Sequence, residues 1–434
     1  MPSRFSNEKN RMTFNLFTLV FLVLFALHRG FELLLDGMQL RYLIRRPNKV
    51  PKHLKGKVDL ETVQKAVAYN KDKIRFGIVS KVSDAAAVWI MVLWGFGLLE
   101  RVVVAFTLGP LAAGLLLFGL LFVLSELFSL PFDLYGTFGV ETRHGFNRST
   151  VGEFFVDRIK ALIINLIMGA VLLSLVLLLM EKGGDRWWLF AFFAVGAVQL
   201  IMLWIYPLVI MPWFNKFTPV PEDLAADVSA LAGSVEFPLR QVFSMDGSRR
   251  SAHANAFIIG LTGARKIVLF DTLLEKVSRG QLLAVLAHEL GHFKLGHLPK
   301  RIGLTLVSMF VLFFGIAVLK ETPDVYPGLG FSTPSDAAAV IVFSLLLAEI
   351  AAPFGFLLRI LSRRDEYAAD RFAVETVKNG TDLADALIAL NKQNLSSPGS
   401  HKWYRAYHNS HPALRDRLAA IRKHAEGIEI GADQ

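Results

Sequence analysis

The sequence predicts an all-α polytopic membrane protein with seven transmembrane helices, joined to a small α+β domain. Three observations carry that reading. The 434 residues are 53% hydrophobic, with a mean hydropathy of +0.44, and the apolar residues gather in blocks long enough to cross a hydrocarbon core of about 30 Å as helices. Basic residues crowd into one connection between blocks. Between the fifth and sixth blocks lies a stretch of soluble character that contains His288-Glu289-Leu290-Gly291-His292.

The first block, Met12–Leu27, is followed by a polar edge in His28, Arg29, Glu32 and Asp36. No small-residue cleavage site follows it, so it reads as a retained anchor and not as a signal peptide. Ala85–Leu99, Val102–Leu124, Ala161–Met180, Trp187–Ile210, Ile302–Leu319 and Ala337–Leu361 complete the seven. The chain thus divides into 1–211 (spans one to five, with connections 41–83 and 131–158), 212–301 (the domain with the His-Glu motif), 302–361 (spans six and seven) and 362–434 (a return to that domain). Arg29, Glu32, Asp36, Ser125, Glu126 and Asp133 fall at or near span depth. Charge is costly there unless it faces protein or water, which implies a polar interior.

Charge orients the bundle. Arg41–Lys81 holds twelve basic residues (Arg41, Arg45, Arg46, Lys49, Lys52, Lys55, Lys57, Lys65, Lys71, Lys73, Arg75, Lys81) against Asp59, Glu61 and Asp72. The opposite connections, Glu100-Arg101, Glu181–Arg186 and Lys320–Asp336, are poor in base. The positive-inside rule puts Arg41–Lys81 in the cytoplasm and the N-terminus outside, against a mild contrary pull from Arg4, Lys9 and Arg11. Pro131–Arg158, Pro212–Arg301 and the part from Ser362 then share the cytoplasmic side. The formal charge of +10 reads as this topology plus affinity for anionic lipid headgroups. No nucleic-acid-binding motif is present. With no cysteine, disulfide, thiol-nucleophile and thiolate-metal chemistry are excluded.

In the soluble stretch, Pro219, Pro221, Glu222 and Asp223 open a helix over Asp223–Gly233. Gln241-Val242-Phe243, Phe257–Leu261 and Lys266–Phe270 read as short strands, with a polar turn at Met245–Arg250. Gly280 then precedes Gln281–Ala287, a strong helix-forming run that leads into the motif. Residues four apart on a helix share a face, so His288 and His292 can point two imidazoles at one ion with Glu289 beside them as general base. A catalytic zinc needs a third protein ligand and an open position. A third His ten residues after the first is ruled out, because Leu298 stands there and Leu295 replaces the accompanying Gly. His297 falls on the opposite face of a continued helix. Glu366 and Asp370, four apart in Arg363–Ala373, offer one carboxylate for a metal and one for the outer N–H of a ligating His. Taken alone, such a run reads better as a solvated charged face, and its occurrence in one chain with the His-Glu motif is what favours the metal reading.

The motifs taken in order resemble the type I CAAX prenyl protease family. They are Leu130-Pro131-Phe132, Tyr135-Gly136-Thr137-Phe138, Glu141, His144-Gly145-Phe146-Asn147, Pro212–Pro219, Ser251–Phe257, Ile267–Leu274, the His-Glu motif, Glu366 with Asp370, and Ser410-His411-Pro412 with Arg417. Phe257 stands where many relatives carry Tyr. The resemblance implies seven helices enclosing a large water-filled chamber and a gluzincin-type protease domain. It implies one Zn2+ per chain on His288, His292 and Glu366, with Asp370 behind them. It makes His411 the candidate oxyanion donor, and Arg417 a group that orients substrate or the local carboxylates. It sets Asn255 and Ala256, with His253, on a sheet edge that holds the substrate backbone. For Glu141 and His144 a structural role is preferred over the chamber mouth.

The expected function is zinc-dependent endopeptidase cleavage of a peptide or protein, with CAAX-type carboxyl-terminal processing of a prenylated substrate implied by the family. A quality-control membrane protease with no prenyl requirement is the alternative. A seven-span transporter or receptor with a relic metal site is the alternative from another class, and the intact Glu289 argues against it. A monomer in a bacterial inner membrane is expected, ahead of the endoplasmic reticulum, since Ile428–Gln434 carries no dilysine signal and the chain lacks long extra loops.

Overall fold

The computed structural model describes residues 14–45, 49–260 and 265–432. Arg4, Lys9, Arg11, Met12, Arg46, Leu261, Asp433 and Gln434, which entered the sequence reading, lie outside them. Among the described residues, seven helices are long and apolar enough to cross a membrane: Leu16–Ile44, Leu60–Ala105, Pro110–Glu141, Val151–Lys182, Gly184–Phe214, His297–Lys320 and Asp336–Val377.

The count agrees with the sequence reading, but the boundaries differ. Leu60–Ala105 runs for 46 residues, about 69 Å at ~1.5 Å per residue. It is capped at Asp59, whose side chain accepts from Thr62 N. Most of the basic connection is therefore a helix that extends a span beyond the apolar stretch. Hydropathy had marked only the apolar part of that helix. Val102–Val104 belong to its end, and the third span begins only at Pro110, after the turn around Phe106–Gly109. The boundary drawn at 361/362 falls inside Asp336–Val377, because Ser362-Arg363-Arg364-Asp365-Glu366 contains no helix breaker.

One large apolar cluster sits at a single end of the bundle. Its members come from the start of the first span (Phe21, Phe25), the end of the second (Val92, Phe96, Val103) and the start of the third (Leu117). The fourth ends in it (Val176, Met180), the fifth begins in it (Trp187), and the sixth and seventh meet there (Phe313, Ile316, Ala338, Val342). Phe331, on the connection between the last two, stacks on Phe96 at 4.9 Å. Away from this plug the buried positions stop in the third and fourth spans. In Val151–Lys182 the buried residues are Val176, Leu177 and Met180, and in Pro110–Leu134 only Gly114 and Leu117. A solid bundle would show a buried stripe along the whole length, so the other halves of these helices leave their inner faces open.

Polar residues at span depth are paired, as their cost demands. Glu349 meets His28 at 2.6 Å and Arg29 at 3.6 Å, Asp36 meets Lys81 at 2.7 Å, and Arg158 holds both Glu126 and Asp133 at 2.7 Å.

The small domain sits at the end opposite the plug. Its four strands are β1 Phe217–Pro219, β2 Leu239–Met245, β3 Ala256–Ile259 and β4 Arg265–Phe270, in the order β1-β2-β4-β3. β2 and β4 are parallel, and the two edge strands are antiparallel. β1 was not expected; its Pro219 is tolerated because the strand is an edge. The helix Glu222–Ser234 and the helix Arg279–Lys294 pack on the sheet through Val228, Ala232, Val242, Ile267, Leu286 and Leu290.

Candidate metal centre and active site

The helix Arg279–Lys294 is opened by a capping box, in which Ser278 and Gln281 exchange side-chain and backbone hydrogen bonds of 3.3 and 3.1 Å. It ends at Gly296, whose φ of +69° suits glycine. Gly291 lets it lie close on the long helix Asp336–Val377: a Cβ there would sit 3.1–3.2 Å from Phe372 and Ala369. That close approach brings Glu366 to the two histidines.

One donor atom each from His288, His292 and Glu366 lies within 4.8 Å of the others. The Nε2 atoms of His288 and His292 face each other at 3.2 Å, and the Glu366 carboxylate lies 3.6 and 3.4 Å from them. The outer nitrogens are held from behind. Asp370 Oδ1 is 2.9 Å from His288 Nδ1, and His297 Nδ1 is 2.8 Å from His292 Nδ1. His297 is therefore not across a continued helix from the motif. Gly296 breaks the chain direction, and the ring returns against His292, near Asp365 at 3.6 Å, which itself accepts from Lys300 at 2.9 Å.

Arg417 is buried and forks onto Asp370 with bonds of 2.8 and 2.6 Å, and it lies 3.5 Å from Glu366. Burial opposes its charge, but the Asp370 pair outweighs that and raises its pKa. Burial likewise disfavours charge on His288, yet the Asp370 and Glu366 contacts win and the imidazole is pushed up to about 9. Glu366 Oε2 is buried without a hydrogen-bond partner of good geometry, although His411 Nδ1 is 2.8 Å away. Two inward nitrogens, an incompletely satisfied carboxylate and outer nitrogens already occupied make a donor set that fits one divalent metal.

Glu289 is half-buried beside this cluster and makes no hydrogen bond or ion pair to a described residue. His411 is 65% exposed while Glu366 is 2% exposed, so the contact between them joins the open side of the cluster to its interior.

Residues 39–216 match the family described as CAAX prenyl protease N-terminal, five membrane helices, and residues 221–425 match peptidase family M48. The CAAX prenyl protease 1 homolog of Arabidopsis thaliana is 35% identical over 401 residues, covering 90% of this chain and 94% of that one. The human homolog is 34% identical over 430 residues, covering 88% and 90%. Among solved structures, the crystal structure of S. mikatae Ste24p superposes with a TM-score of 0.88 at 29% identity, over 94% of this chain and 100% of that chain. The chain belongs to the CAAX prenyl protease family. It is a multi-pass membrane peptidase, which decides against the transporter or receptor reading.

The remaining candidates of this CAAX prenyl protease family member form two groups, one at the start of β3 and one on the connection between the third and fourth spans. Ala256 opens the edge strand β3, and Asn255, just before it, accepts from Ala256 N at 2.9 Å with its own side chain. His253 stacks on Phe146 at 4.2 Å, with Nδ1 3.2 Å from Asn394 and Nε2 3.5 Å from Glu141. Glu141 accepts from Tyr69 at 2.8 Å, and His144 meets Asp72 at 3.0 Å. These contacts tie the third-to-fourth span connection to the second span and to the segment before β3.

Three residues escaped the sequence reading. His297 was set aside by assuming an unbroken helix, although Gly296 signalled the break. Asn394 supports His253 and Ala254 N from 140 residues away, and nothing local announces it. Arg363, one turn before Glu366, donates to the carbonyls of Ala406 at 3.1 Å and Asn409 at 2.7 Å, fixing the segment that leads to His411.

Proposed function

We propose that this membrane peptidase is zinc-dependent, holds one Zn2+ on His288, His292 and Glu366, and cleaves peptide bonds near the carboxyl terminus of protein substrates, including prenylated ones. The observation that carries it is the convergence of the three donor atoms within 4.8 Å beside the unpaired Glu289. Zinc, when bound, supplies Lewis acidity that polarises the scissile carbonyl and acidifies water.

The chain's own residues do the rest. Asp370 and His297 fix the two imidazoles so that Nε2 points inward, and Arg417 neutralises Asp370 and holds it in place rather than contacting substrate. Glu289 removes the proton of the attacking water and returns it to the leaving amine. His411, on the open side, donates to the carbonyl oxygen as negative charge develops there. The outer edge of β3, with Asn255 and Ala256, offers backbone groups to an extended substrate. The carboxyl-terminal specificity is supported by the names of the relatives.

We further infer a monomer, and an active site toward the cytoplasm with affinity for anionic lipid there; the orientation and the lipid affinity are supported by the twelve basic residues of Arg41–Lys81. A reporter active only in the cytoplasm should work after Gln434 and fail within Lys320–Asp336. A bacterial inner membrane is the favoured location, supported by short connections such as 143–150; fractionation of the native host checks it. The deciding experiment for the chemistry is Glu289→Gln, which should retain one zinc per chain and lose hydrolysis by about 10³-fold or more. Near-native cleavage by that variant would remove Glu289 as general base.

A further inference from the structure

The connection between the third and fourth spans, with Glu141 and His144-Gly145-Phe146-Asn147, takes no part in the chemistry above, yet it is bonded to the chain that leads into β3. Ala252 N donates to Phe146 O at 3.1 Å, and Arg148 N donates to Arg250 O at 3.0 Å. Asn147 and Ser251 pair between them as an antiparallel bridge. The buried Phe146 ring packs against Tyr69 of the second span at 4.8 Å, and the His253 ring stacks on it nearly parallel at 4.2 Å.

Side-chain bonds run through His253 in both directions. Tyr69 Oη donates to Glu141 Oε1 at 2.8 Å. His253 Nε2 stands 3.5 Å from Glu141 Oε2, a buried oxygen with no closer partner among the described residues. On the other side of the ring, Asn394 Oδ1 accepts from Ala254 N at 3.3 Å and lies 3.2 Å from His253 Nδ1. An atom that accepts from a backbone N–H is the amide oxygen, so Nδ1 carries a proton and donates to it. Asn394 is fixed in turn by its neighbours: Gln393 donates to Ala252 O at 3.0 Å, and Asn70 of the second span donates to Leu395 O at 2.8 Å. Leu395 has a φ of +42°, a conformation that persists in a branched residue only where the surroundings over-determine it. Both nitrogens and one face of the His253 ring are thus committed within the protein.

We propose, on the reading of β3 as the edge that receives an extended peptide, that Tyr69, Glu141, His253 and Asn394 form a brace by which the membrane helices set the position of that edge. His253 is then a positioning residue for peptide binding and not a substrate contact. β3 has four residues and one partner strand, β4, so its own ladder gives it little rigidity. A peptide that adds to an edge needs backbone N–H and C=O groups in register and in line, since hydrogen bonds weaken steeply off axis. The brace grips the chain at Ala252, His253 and Ala254, immediately before the strand begins. It also gives the polar extension of the second-span helix a task, because Tyr69 and Asn70 lie in it.

The test uses the zinc-loaded full chain in nanodiscs with a fluorogenic prenylated CAAX peptide. His253→Ala and Glu141→Ala should each raise KM by about tenfold, with kcat within about twofold of native and zinc content unchanged. Glu141→Gln should stay near the native KM, because an amide still accepts from Tyr69 and donates to the imidazole. The double alanine variant should be no worse than either single one, since both residues act through one brace. Amide hydrogen exchange over Ala252–Ile259 should quicken in both alanine variants and not in Glu141→Gln. A loss confined to kcat or to zinc, additive effects in the double variant, or unchanged exchange overturns the proposal. Faster exchange with an unmoved KM overturns it as well, and shows that the peptide does not bind on β3. If the native protein cuts no peptide, the peptidase reading fails on its own account, and the exchange rates still decide the brace.

Discussion

The two ends of the bundle differ in what is added to apolar packing. At the plug end, helix meets helix through Phe21, Phe96, Phe313, Phe331 and Val342, contacts that are non-directional and individually small. At the site end the first, second and seventh spans also share an apolar cluster (Leu43, Val67, Ala373, Val374), and directional polar bonds are added to it: Lys81 on Asp36 between the first two spans, and Arg417 on Asp370 and Arg363 on Ala406 and Asn409 between the seventh span and the carboxyl-terminal segment. Little is packed between the two. The plug therefore keeps the span ends together while leaving the inner faces open, and the geometry that chemistry requires is set where bonds have direction. Substitutions at the two ends should separate cleanly into effects on stability and effects on catalysis.

The largest effect is expected at Glu366. Glu366→Ala removes one of three ligands and leaves Arg417 and two imidazoles without their shared counter-charge. Zinc measured by elemental analysis should fall well below one per chain, and kcat/KM should drop by about 10⁴-fold or more. Full zinc occupancy in this variant would mean that the ligand is elsewhere.

Metal affinity should also depend on pH. Metal-free His288 holds its proton up to about pH 9, so zinc must displace it at pH 7. Because the folded pKa is raised above the usual 6.5, the proton stabilises the metal-free fold below pH 6.5, and that contribution is lost as pH rises through about 9. Zinc affinity should therefore climb by about tenfold per pH unit between roughly 7 and 9 from this proton alone, then level off. Titration calorimetry in two buffers of different protonation enthalpy would reveal the proton release. A flat profile would contradict it.

How much of this was readable beforehand differs between the ends in the same way. Seven apolar blocks announce seven spans because hydropathy is a local property. The motif helix and three of the four strands announce themselves by pattern. Boundaries were lost where polar helix continues an apolar one, as over Leu60–Lys81 and Ser362–Val377, since hydropathy reports the solvent and not the backbone. The pairing of Glu366 with the motif was readable from residue types once the family's order of motifs was seen. Arg363 and Asn394 act through backbone carbonyls and through contacts some 40 and 140 residues away, and no local pattern encodes those.

His411→Ala should lower kcat by about a hundredfold with little change in KM, as for loss of an oxyanion donor. Because His411 also touches Glu366, zinc content should be measured in the same sample. A fall confined to KM would move His411 to substrate binding. Arg363→Gln should act more weakly, about tenfold on kcat, with zinc retained. It loosens the segment that presents His411 without removing a reacting group. Adding it to His411→Ala should cost little more, because two residues acting through one group are not additive.

The smallest catalytic effect should come from the plug. Gly315 lies on the sixth span, where an added Cβ would sit 2.3 Å from the buried Phe343 ring of the seventh. Small residues at such crossings let membrane helices approach closely. Gly315→Leu forces Phe343 aside within a cluster that has no slack, an overpacking cost of about 1–3 kcal/mol. The melting temperature in detergent should fall by several degrees, while zinc per chain and kcat at 25 °C stay near native values. That pattern would show that the plug supports the span ends without setting the site. If Gly315→Leu instead weakened zinc binding at a temperature where the protein is fully folded, the seventh helix would be carrying the disturbance along its continuous length from Phe343 to Glu366, and the two ends would be one mechanical unit.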